Sequence, residues 1–171
     1  ALDAAAARAS AAVEAARGAG LPVVHSDLAF QPGHPELGGR GHYGLRAAQP
    51  IAGLFRAGTP GAAFAPPFEP RPGDWVAAGR TGASAFAGSN LDALLRANGV
   101  QALFVAGFAT EVCVEGTLRQ AHDLGYDAVV LEDACAGITA EAHRHCLENA
   151  VPHFGDRSTL VAFRAALARR R

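Results

Sequence analysis

Gly107-Phe108-Ala109-Thr110-Glu111-Val112-Cys113-Val114 is the stretch that decides how this chain folds. The apolar run before it, residues 102–106, is short and ends at a glycine, which is typical of a strand covered on both faces. Thr110 is suited to cap a following helix, so the pattern predicts a strand that turns directly into a helix. Cys113 then lies in the first helical turn, where free backbone N–H groups and the helix dipole favour a thiolate. A buried structural cysteine is the other interpretation of Cys113.

Apolar strands and helices alternate on both sides of this stretch. The sequence predicts strands at residues 21–26, 74–78, 102–106, 128–131 and 159–161, and helices at about 3–17, 91–98, 111–124 and 140–150 and at the C terminus. This alternation predicts one three-layer α/β/α domain over residues 1–171, built on a mostly parallel, Rossmann-like sheet. A chain of βαβ units usually opens with a strand, whereas the first element here is a helix. Either a strand precedes Ala1, or the sheet closes without it.

Composition narrows the class of protein. A length of 171 residues suits one domain with a sizeable core, and half of the residues are hydrophobic. The formal net charge of −1 gives no electrostatic reason to expect a nucleic acid or an anionic membrane as partner. No apolar run approaches the ~20 residues of a membrane span. The three cysteines, Cys113, Cys135 and Cys146, are an odd number without metal-type pairing, which favours a reduced, cytoplasmic setting.

Two residue types are absent from the sequence. The chain has no methionine, so we expect that its numbering does not begin at a translational start. It also has no lysine, because all fifteen basic residues are arginine. A mechanism that needs a titratable lysine amine is therefore excluded within this chain.

Several further motifs accompany the 107–114 stretch. They are Gly58-Thr59-Pro60-Gly61, Pro70-Arg71-Pro72-Gly73-Asp74, Ser84-Ala85-Phe86-Ala87-Gly88-Ser89-Asn90-Leu91 and Glu132-Asp133-Ala134-Cys135-Ala136. Together these motifs resemble the isochorismatase-like cysteine hydrolases over nearly all of residues 20–165. The resemblance implies a six-stranded parallel sheet flanked by helices and assembly into a homo-oligomer, a dimer or a tetramer. It also implies a Cys-Asp-Lys catalytic set and no cofactor for the reaction.

The resemblance assigns roles to individual positions. Cys113 falls on the nucleophile, and a cis peptide bond is expected between Phe108 and Ala109. The amides of Ala109 and Cys113 would then face a substrate oxyanion. The aspartate of the family belongs to a strand upstream of residue 1, so nothing here matches it. The lysine of the family falls on Arg80, which keeps the positive charge but is a poor proton donor.

Other positions are weaker candidates. Arg80 is open to a second interpretation, an exposed residue that only aids solubility. Asp27, His34 and His42 lie where amidohydrolases of this kind hold a metal ion, but their spacing departs from the compact Asp-x-His pattern, so no metal site is assigned. Asp27 also follows a strand and is an alternative base. The residues expected to contact substrate are Phe86, Phe108, Thr110 and Tyr43.

The expected activity is hydrolysis of a small amide, carbamoyl or ureido C–N bond through a thioester on Cys113. The alternative is a catalytically impaired scaffold that acts as an oligomeric binding module. Hydrolysis of the isochorismate vinyl ether belongs to relatives that lack the cysteine, so Cys113 argues against it.

Overall fold

Short parallel strands and flanking helices make up residues 2–38 and 54–169, the part of the chain that the computed structural model describes. The strands are β1 (Val24–Ser26), β2 (Trp75–Ala77), β3 (Ala102–Phe108), β4 (Asp127–Ala136) and β5 (Asp156–Ser158). The α-helices are α1 (Leu2–Gly18), α2 (Leu91–Ala97), α3 (Glu115–Asp123), α4 (Ala140–His145), α5 (Val151–Phe154) and α6 (Leu160–Ala168). Thr110–Val114 and Cys146–Ala150 are π-helical turns that lead into α3 and α5, and Pro60–Ala62 is a 3-10 turn.

The strands form two separate sheets. β1 pairs with β2, and β3, β4 and β5 pair in that order, with every pairing parallel. The predicted parallel α/β class is thereby confirmed. Within the described residues β1 and β3 are not hydrogen-bonded neighbours, so the five strands do not form one continuous sheet.

Helices cover both faces of the larger sheet. Val130 and Leu131 are neighbours on β4, and each is at most 2 % exposed. Val130 packs in the cluster that contains Leu118 of α3, whereas Leu131 packs with Phe163 of α6 and with the alanines of α1. Successive residues of a strand point to opposite faces, so this pair defines the middle layer of an α/β/α sandwich. Full burial of one such side chain contributes about 1.5–3 kcal/mol to the free energy of unfolding.

Side-chain caps set several element boundaries. Thr139 caps α4 as predicted, because its hydroxyl accepts a hydrogen bond from the amide of Ala142 at 3.0 Å. The last strand lies at residues 156–158 rather than at the predicted 159–161. The reason is that the Thr159 hydroxyl accepts from the amide of Ala162 at 3.2 Å, which starts α6. Asp133 lies within β4 and accepts a hydrogen bond from the amide of Leu160 at 2.9 Å, which ties the start of α6 to the larger sheet.

A buried carboxylate joins α1 to the smaller sheet. Asp74 accepts hydrogen bonds from Arg17 at 2.5 Å, from His25 at 2.9 Å and from the amide of Arg71 at 2.9 Å. The guanidinium of Arg17 makes the largest contribution to holding the pKa of Asp74 well below its ordinary value. The cluster fixes the end of α1 beside β1 and β2. In the described part of the chain, no helix has the length and apolar character that a membrane span requires.

Candidate active site

The turn after β3, residues 109–114, is organised around one carbonyl oxygen. The oxygen of Ala109 accepts hydrogen bonds from the amides of Val112, Cys113 and Val114 at 3.1, 2.9 and 3.2 Å. The helix therefore begins with a π-helical turn, and Ala109 rather than Thr110 is its N-cap residue. The peptide bond between Phe108 and Ala109 is cis, which confirms that prediction. We call residues 109–114 the cysteine turn.

Thr110 holds the cysteine turn against α4 through buried contacts. The residue is fully buried, and its hydroxyl lies 2.8 Å from Nδ1 of His143. Its carbonyl oxygen accepts from the thiol of Cys146 at 3.6 Å. Thr110 was expected to contact substrate, whereas these contacts place it in the packing below the turn. No local pattern indicates its hydrogen bond to His143, because the two residues are 33 positions apart in the chain.

Cys113 has a free, half-buried thiol. Its amide donates to the Ala109 oxygen, so it is already engaged and the predicted oxyanion role of that amide is not met in this geometry. The first amides of a helix have no hydrogen-bond acceptor within the helix, so the amides of Thr110 and Glu111 can donate to a bound anion. The turn thus retains backbone donors for an anion, but they come from residues before the cysteine.

An elongated cavity of about 660 Å³ opens beside the thiol. Its walls run along the length of β3 and of the segment 21–26 that contains β1. Cys113, Arg80, Ser26 and Phe108 line the end of the cavity that the carboxyl ends of the strands define. Ligand sites in open α/β sheets lie at this edge.

Arg80 is buried, with 8 % of its surface exposed, so the interpretation of an exposed solubility residue is wrong. Its guanidinium donates to the carbonyl oxygens of Gly82 at 2.9 Å, of Ser26 at 3.4 Å and of Ala83. Among the residues that the structure describes, none supplies a carboxylate that pairs with it. A buried, fixed positive charge therefore shares the cavity with the thiol of Cys113.

The other two cysteines are buried packing residues, with 5 % of Cys135 and 1 % of Cys146 exposed. Burial raises the pKa of the Cys135 thiol to about 11. Burial, with the nearby carboxylates of Glu115 and Glu111, raises the pKa of Cys146 to about 12. Both groups are therefore thiols at neutral pH, and Cys113 is the cysteine that faces the cavity.

The predicted substrate contacts separate into different environments. Phe108 is 53 % exposed and lines the cavity. Phe86 is instead buried in the core, where its ring stacks on Tyr126 with centroids 5.7 Å apart. Tyr43 lies outside the described residues. The sequence analysis missed Ser26, whose buried hydroxyl has no hydrogen-bond partner among the described residues; its position at the end of a strand was the available signal.

The residues considered as metal ligands do not form a metal site in the described part of the chain. His34 is buried at 9 % exposure and stacks near Phe30, with a ring-centroid distance of 5.8 Å. Residues 2–38 and 54–169 contain no cluster of three His, Cys, Asp or Glu side chains that suits a metal ion. His42 lies outside those ranges. Asp27, the alternative base, is not among the residues that line the cavity.

These features define an α/β protein with a cysteine in the turn after a parallel strand, at the carboxyl edge of the sheet. The isochorismatase domain model matches residues 1–160. The chain belongs to the isochorismatase family.

Three relatives illustrate the family match. The chain is 36 % identical over 172 residues to the ureidoacrylate amidohydrolase RutB of Methylobacterium radiotolerans, with 94 % of this chain and 66 % of that protein covered. An isochorismatase family protein of Desulfovibrio vulgaris superposes with a TM-score of 0.81 at 30 % identity, covering 98 % and 88 % of the two chains. N-carbamoylsarcosine amidase of Thermoplasma acidophilum superposes with a TM-score of 0.72 at 25 % identity, and the match covers 93 % of this chain and 84 % of that chain. The chain spans about two thirds of the length of its curated relatives.

Proposed function

We propose that this protein hydrolyses a C–N bond of a small amide, carbamoyl or ureido compound, with Cys113 as nucleophile. The observation that carries the proposal is the half-buried, free thiol of Cys113 in a cavity that also contains the buried guanidinium of Arg80. The thiolate is the reactive form of cysteine, and the guanidinium of Arg80 places a fixed positive charge in the same cavity as the sulfur. The other cysteines lack this setting.

In the proposed reaction the thiolate sulfur attacks the substrate carbonyl carbon and forms a C–S bond. The negative charge that develops on the carbonyl oxygen is held by amide donors near the start of the cysteine turn, those of Thr110 and Glu111. The C–N bond then breaks, and the amine nitrogen takes a proton from solvent water as it leaves. Water attacks the thioester carbon, which releases the acid and restores the thiol. Arg80 acts electrostatically in this scheme, because a guanidinium does not give up its proton near neutral pH.

The substrate class follows from the relatives and from the charge of the cavity. Ureidoacrylate and N-carbamoylsarcosine, the compounds named for two relatives, both carry a carbamoyl nitrogen and a carboxylate. A carboxylate on the substrate would also offset the buried charge of Arg80. We therefore expect a small carbamoyl or ureido acid.

A covalent intermediate tests the proposal. The protein is incubated with a panel of small ureido and N-carbamoyl acids, quenched in acid, and digested for mass spectrometry. We expect an acyl adduct on the peptide that contains Cys113, and loss of both adduct and amine release in Cys113→Ala. Cys146→Ala serves as the matched control, since Cys146 is buried below the turn. Amine release that persists in Cys113→Ala would contradict the mechanism.

The alternative function is a binding module that does not catalyse hydrolysis. The observation in its favour is that no carboxylate of the described residues pairs with Arg80 or lines the described cavity, and that His25, the histidine in the cavity wall, is already bonded to Asp74 at 2.9 Å. In that case small acids bind without any adduct on Cys113 and without amine release. Ligand-induced changes in melting temperature, measured beside the mass spectra, separate this outcome from a simple failure to bind.

A further inference from the structure

We infer that His143 is a positioning residue, which through Thr110 fixes the two backbone amides that hold the substrate oxyanion in the proposed reaction. This inference rests on the proposed function and goes further, because it names the part of the chain that aims those amides. That part is residues 137–143, which lead from the end of β4 into α4, and we call it the clamp. None of its residues, all of which the structure describes, lines the cavity, so the clamp acts on the reaction only through the cysteine turn.

The ends of two neighbouring strands bring the clamp to the cysteine turn. Phe108 and Ala136 are the last residues of β3 and β4, and they are paired in the parallel ladder between these strands. The cysteine turn and the clamp therefore start side by side at the carboxyl edge of the larger sheet. Contacts between them form across this edge rather than along the chain.

The first contact is the buried hydrogen bond between Thr110 and His143. Oγ1 of Thr110 lies 2.8 Å from Nδ1 of His143, and Thr110 exposes no surface. His143 is itself fixed in the first turn of α4, because its amide donates to the carbonyl oxygen of Thr139 at 3.0 Å. A buried hydroxyl that loses its partner is not compensated by solvent, so this bond holds the Thr110 side chain in one position.

The main chain of Thr110 is held in the same way. Its carbonyl oxygen accepts from the thiol of Cys146 at 3.6 Å. The C=O and N–H groups of a trans peptide unit lie in one plane and point in opposite directions. The amide of Glu111 belongs to the same unit as the Thr110 carbonyl, so it points away from Cys146. The amide of Thr110 likewise points away from the interior of the turn, because the Ala109 carbonyl of its unit accepts three amides there.

The second contact fastens Glu111 to the other end of the clamp. Oε1 of Glu111 accepts a hydrogen bond from the amide of Ile138 at 2.8 Å. Its Oε2 occupies the space beside Gly137, where a Cβ atom would lie 2.6 Å from it. Two consecutive residues, the ones that carry the donor amides, are thus tied by their side chains to the same short segment. Ordinary packing of one threonine does not require this second tie.

The position of the donors matters because they stabilise charge that develops only in the transition state. Removal of one such donor typically lowers the rate by ~10²–10³-fold. Loss of the bond to His143 removes no donor but lets Thr110 and its amides move, and a displacement of about 1 Å at a reacting centre can cost on the order of 10²-fold. We therefore expect a loss of about tenfold or more.

Two reactions of Cys113 separate the position of the amides from the reactivity of the sulfur. With p-nitrophenyl acetate the sulfur attacks the carbonyl carbon, an oxyanion forms, and nitrophenolate leaves as the acetyl group stays on the sulfur. With iodoacetamide the sulfur displaces iodide, and no oxyanion forms. Both rate constants are measured on the full chain at pH 7, and mass spectrometry confirms that each group is on the Cys113 peptide. The ratio of the acylation rate to the alkylation rate reports on the amide donors.

We expect His143→Leu to lower this ratio about tenfold or more, and His143→Asn to restore most of it, since an asparagine amide can reach the position of Nδ1. The matched control is His145→Leu, which removes an exposed histidine of the same helix whose ring bonds to Asn149 and should leave the ratio unchanged. Thermal denaturation checks the fold of each variant. If His143→Leu does not fold, Thr110→Val removes the same hydrogen bond from its other side.

The outcomes distinguish this inference from the proposed function. An acetylated Cys113 with an unchanged ratio in folded His143→Leu would overturn the inference and leave the nucleophile in place. Equal losses in both rate constants, or a loss in His143→Asn as large as in His143→Leu, would also overturn it, because the hydrogen bond would then not act on the oxyanion donors. If the wild type acquires no acetyl group on Cys113, the proposed nucleophile is wrong and the inference fails with it.

Discussion

The hydroxyl of Thr117 lies 2.7 Å from the carbonyl oxygen of Cys113 and donates a hydrogen bond to it. The same hydroxyl accepts a hydrogen bond from the amide of Ala85 at 2.9 Å. Ala85 belongs to the loop whose carbonyl groups at Gly82 and Ala83 hold Arg80. One buried side chain therefore links the turn that presents the thiol to the loop that positions the cation.

Replacement of this hydroxyl by a methyl group is expected to destabilise the protein. Thr117→Val keeps the shape of the side chain but leaves the buried amide of Ala85 without its acceptor, at a cost of about 1–3 kcal/mol in the free energy of unfolding. The matched control is Thr59→Val, which removes a hydrogen bond from the Thr59 hydroxyl to the Arg56 carbonyl at an exposed turn. Urea denaturation measures both variants. Equal losses in the two would show that the link between Thr117 and Ala85 is not important for stability.

The three thiols are expected to differ in reactivity. Cys135 and Cys146 are buried and have pKa values raised to about 11 and about 12, so both remain protonated and shielded at pH 8. Cys113 faces the cavity. Titration of the native protein with an aromatic disulfide reagent at pH 8 should label Cys113 alone, and the unfolded protein should release all three thiols. Rapid labelling of the native Cys113→Ala variant would contradict the expected difference in reactivity between Cys113 and the two buried cysteines.

Acid sensitivity is expected from Asp74. Its pKa is depressed in the folded protein, chiefly by the hydrogen bond from Arg17, so the carboxylate stabilises the fold at pH values above its ordinary pKa. That stabilisation is lost as the pH falls below about 4 towards the depressed folded-state value. Asp74→Asn should cost about 2 kcal/mol at pH 7, because hydrogen bonds between charged groups are lost.

The pH series distinguishes this effect from general acid denaturation. Urea denaturation midpoints of the wild type and of Asp74→Asn are compared at pH 7, 5, 4 and 3, and the gap between them should narrow only in the most acidic samples. Asp3→Asn, at an exposed position near the start of α1, serves as the control and should follow the wild type throughout. A gap that is constant from pH 7 to pH 3 would rule out Asp74 as a source of acid sensitivity.

Local sequence patterns were sufficient to predict the elements around the thiol. The run 102–106 and the glycine after it predicted a strand covered on both faces. The strand is confirmed as β3 (Ala102–Phe108), but the predicted burial is wrong, because its residues alternate between exposed and half-buried. Thr139 has the residue type and position of an N-cap, and its hydroxyl does cap α4. Both features depend on neighbours within about four residues, which is the range over which hydrogen bonds of helix caps and turns act.

Contacts between distant segments were not predictable in the same way. Phe86 was expected at the substrate because it is aromatic, but its ring packs on Tyr126, forty positions further along the chain. Arg80 was open to an exposed interpretation because its acceptors are carbonyl groups, which every residue has. The gap between β1 and β3 also emerges only when both sheets are in place.

The glycine after β4 is expected to be essential for the packing of the cysteine turn. A Cβ atom at Gly137 would lie 2.6 Å from Oε2 of Glu111 and 2.9 Å from the backbone nitrogen of His143. Gly137→Ala must therefore displace α4 or Glu111, and we expect a loss of about 1–3 kcal/mol in the free energy of unfolding. Gly18→Ala is the control, since a Cβ atom there meets nothing within 4 Å. Unchanged stability in Gly137→Ala would show that the contact relaxes freely.

The charge of Arg80 is expected to govern the reactivity of Cys113. Arg80→Met removes the cation from the cavity, and the thiolate loses its electrostatic support, so labelling of Cys113 by iodoacetamide at pH 7 should slow about tenfold. Arg80→Lys retains the charge but not the planar set of donors, and should label at a rate between those of the wild type and Arg80→Met. Arg157→Met, which removes an exposed arginine paired with Glu132, is the matched control. Thermal denaturation of each variant separates an effect on charge from loss of the fold. If folded Arg80→Met labels as fast as the control, the guanidinium does not support the thiolate, and the amides of the cysteine turn must account for any reactivity of Cys113.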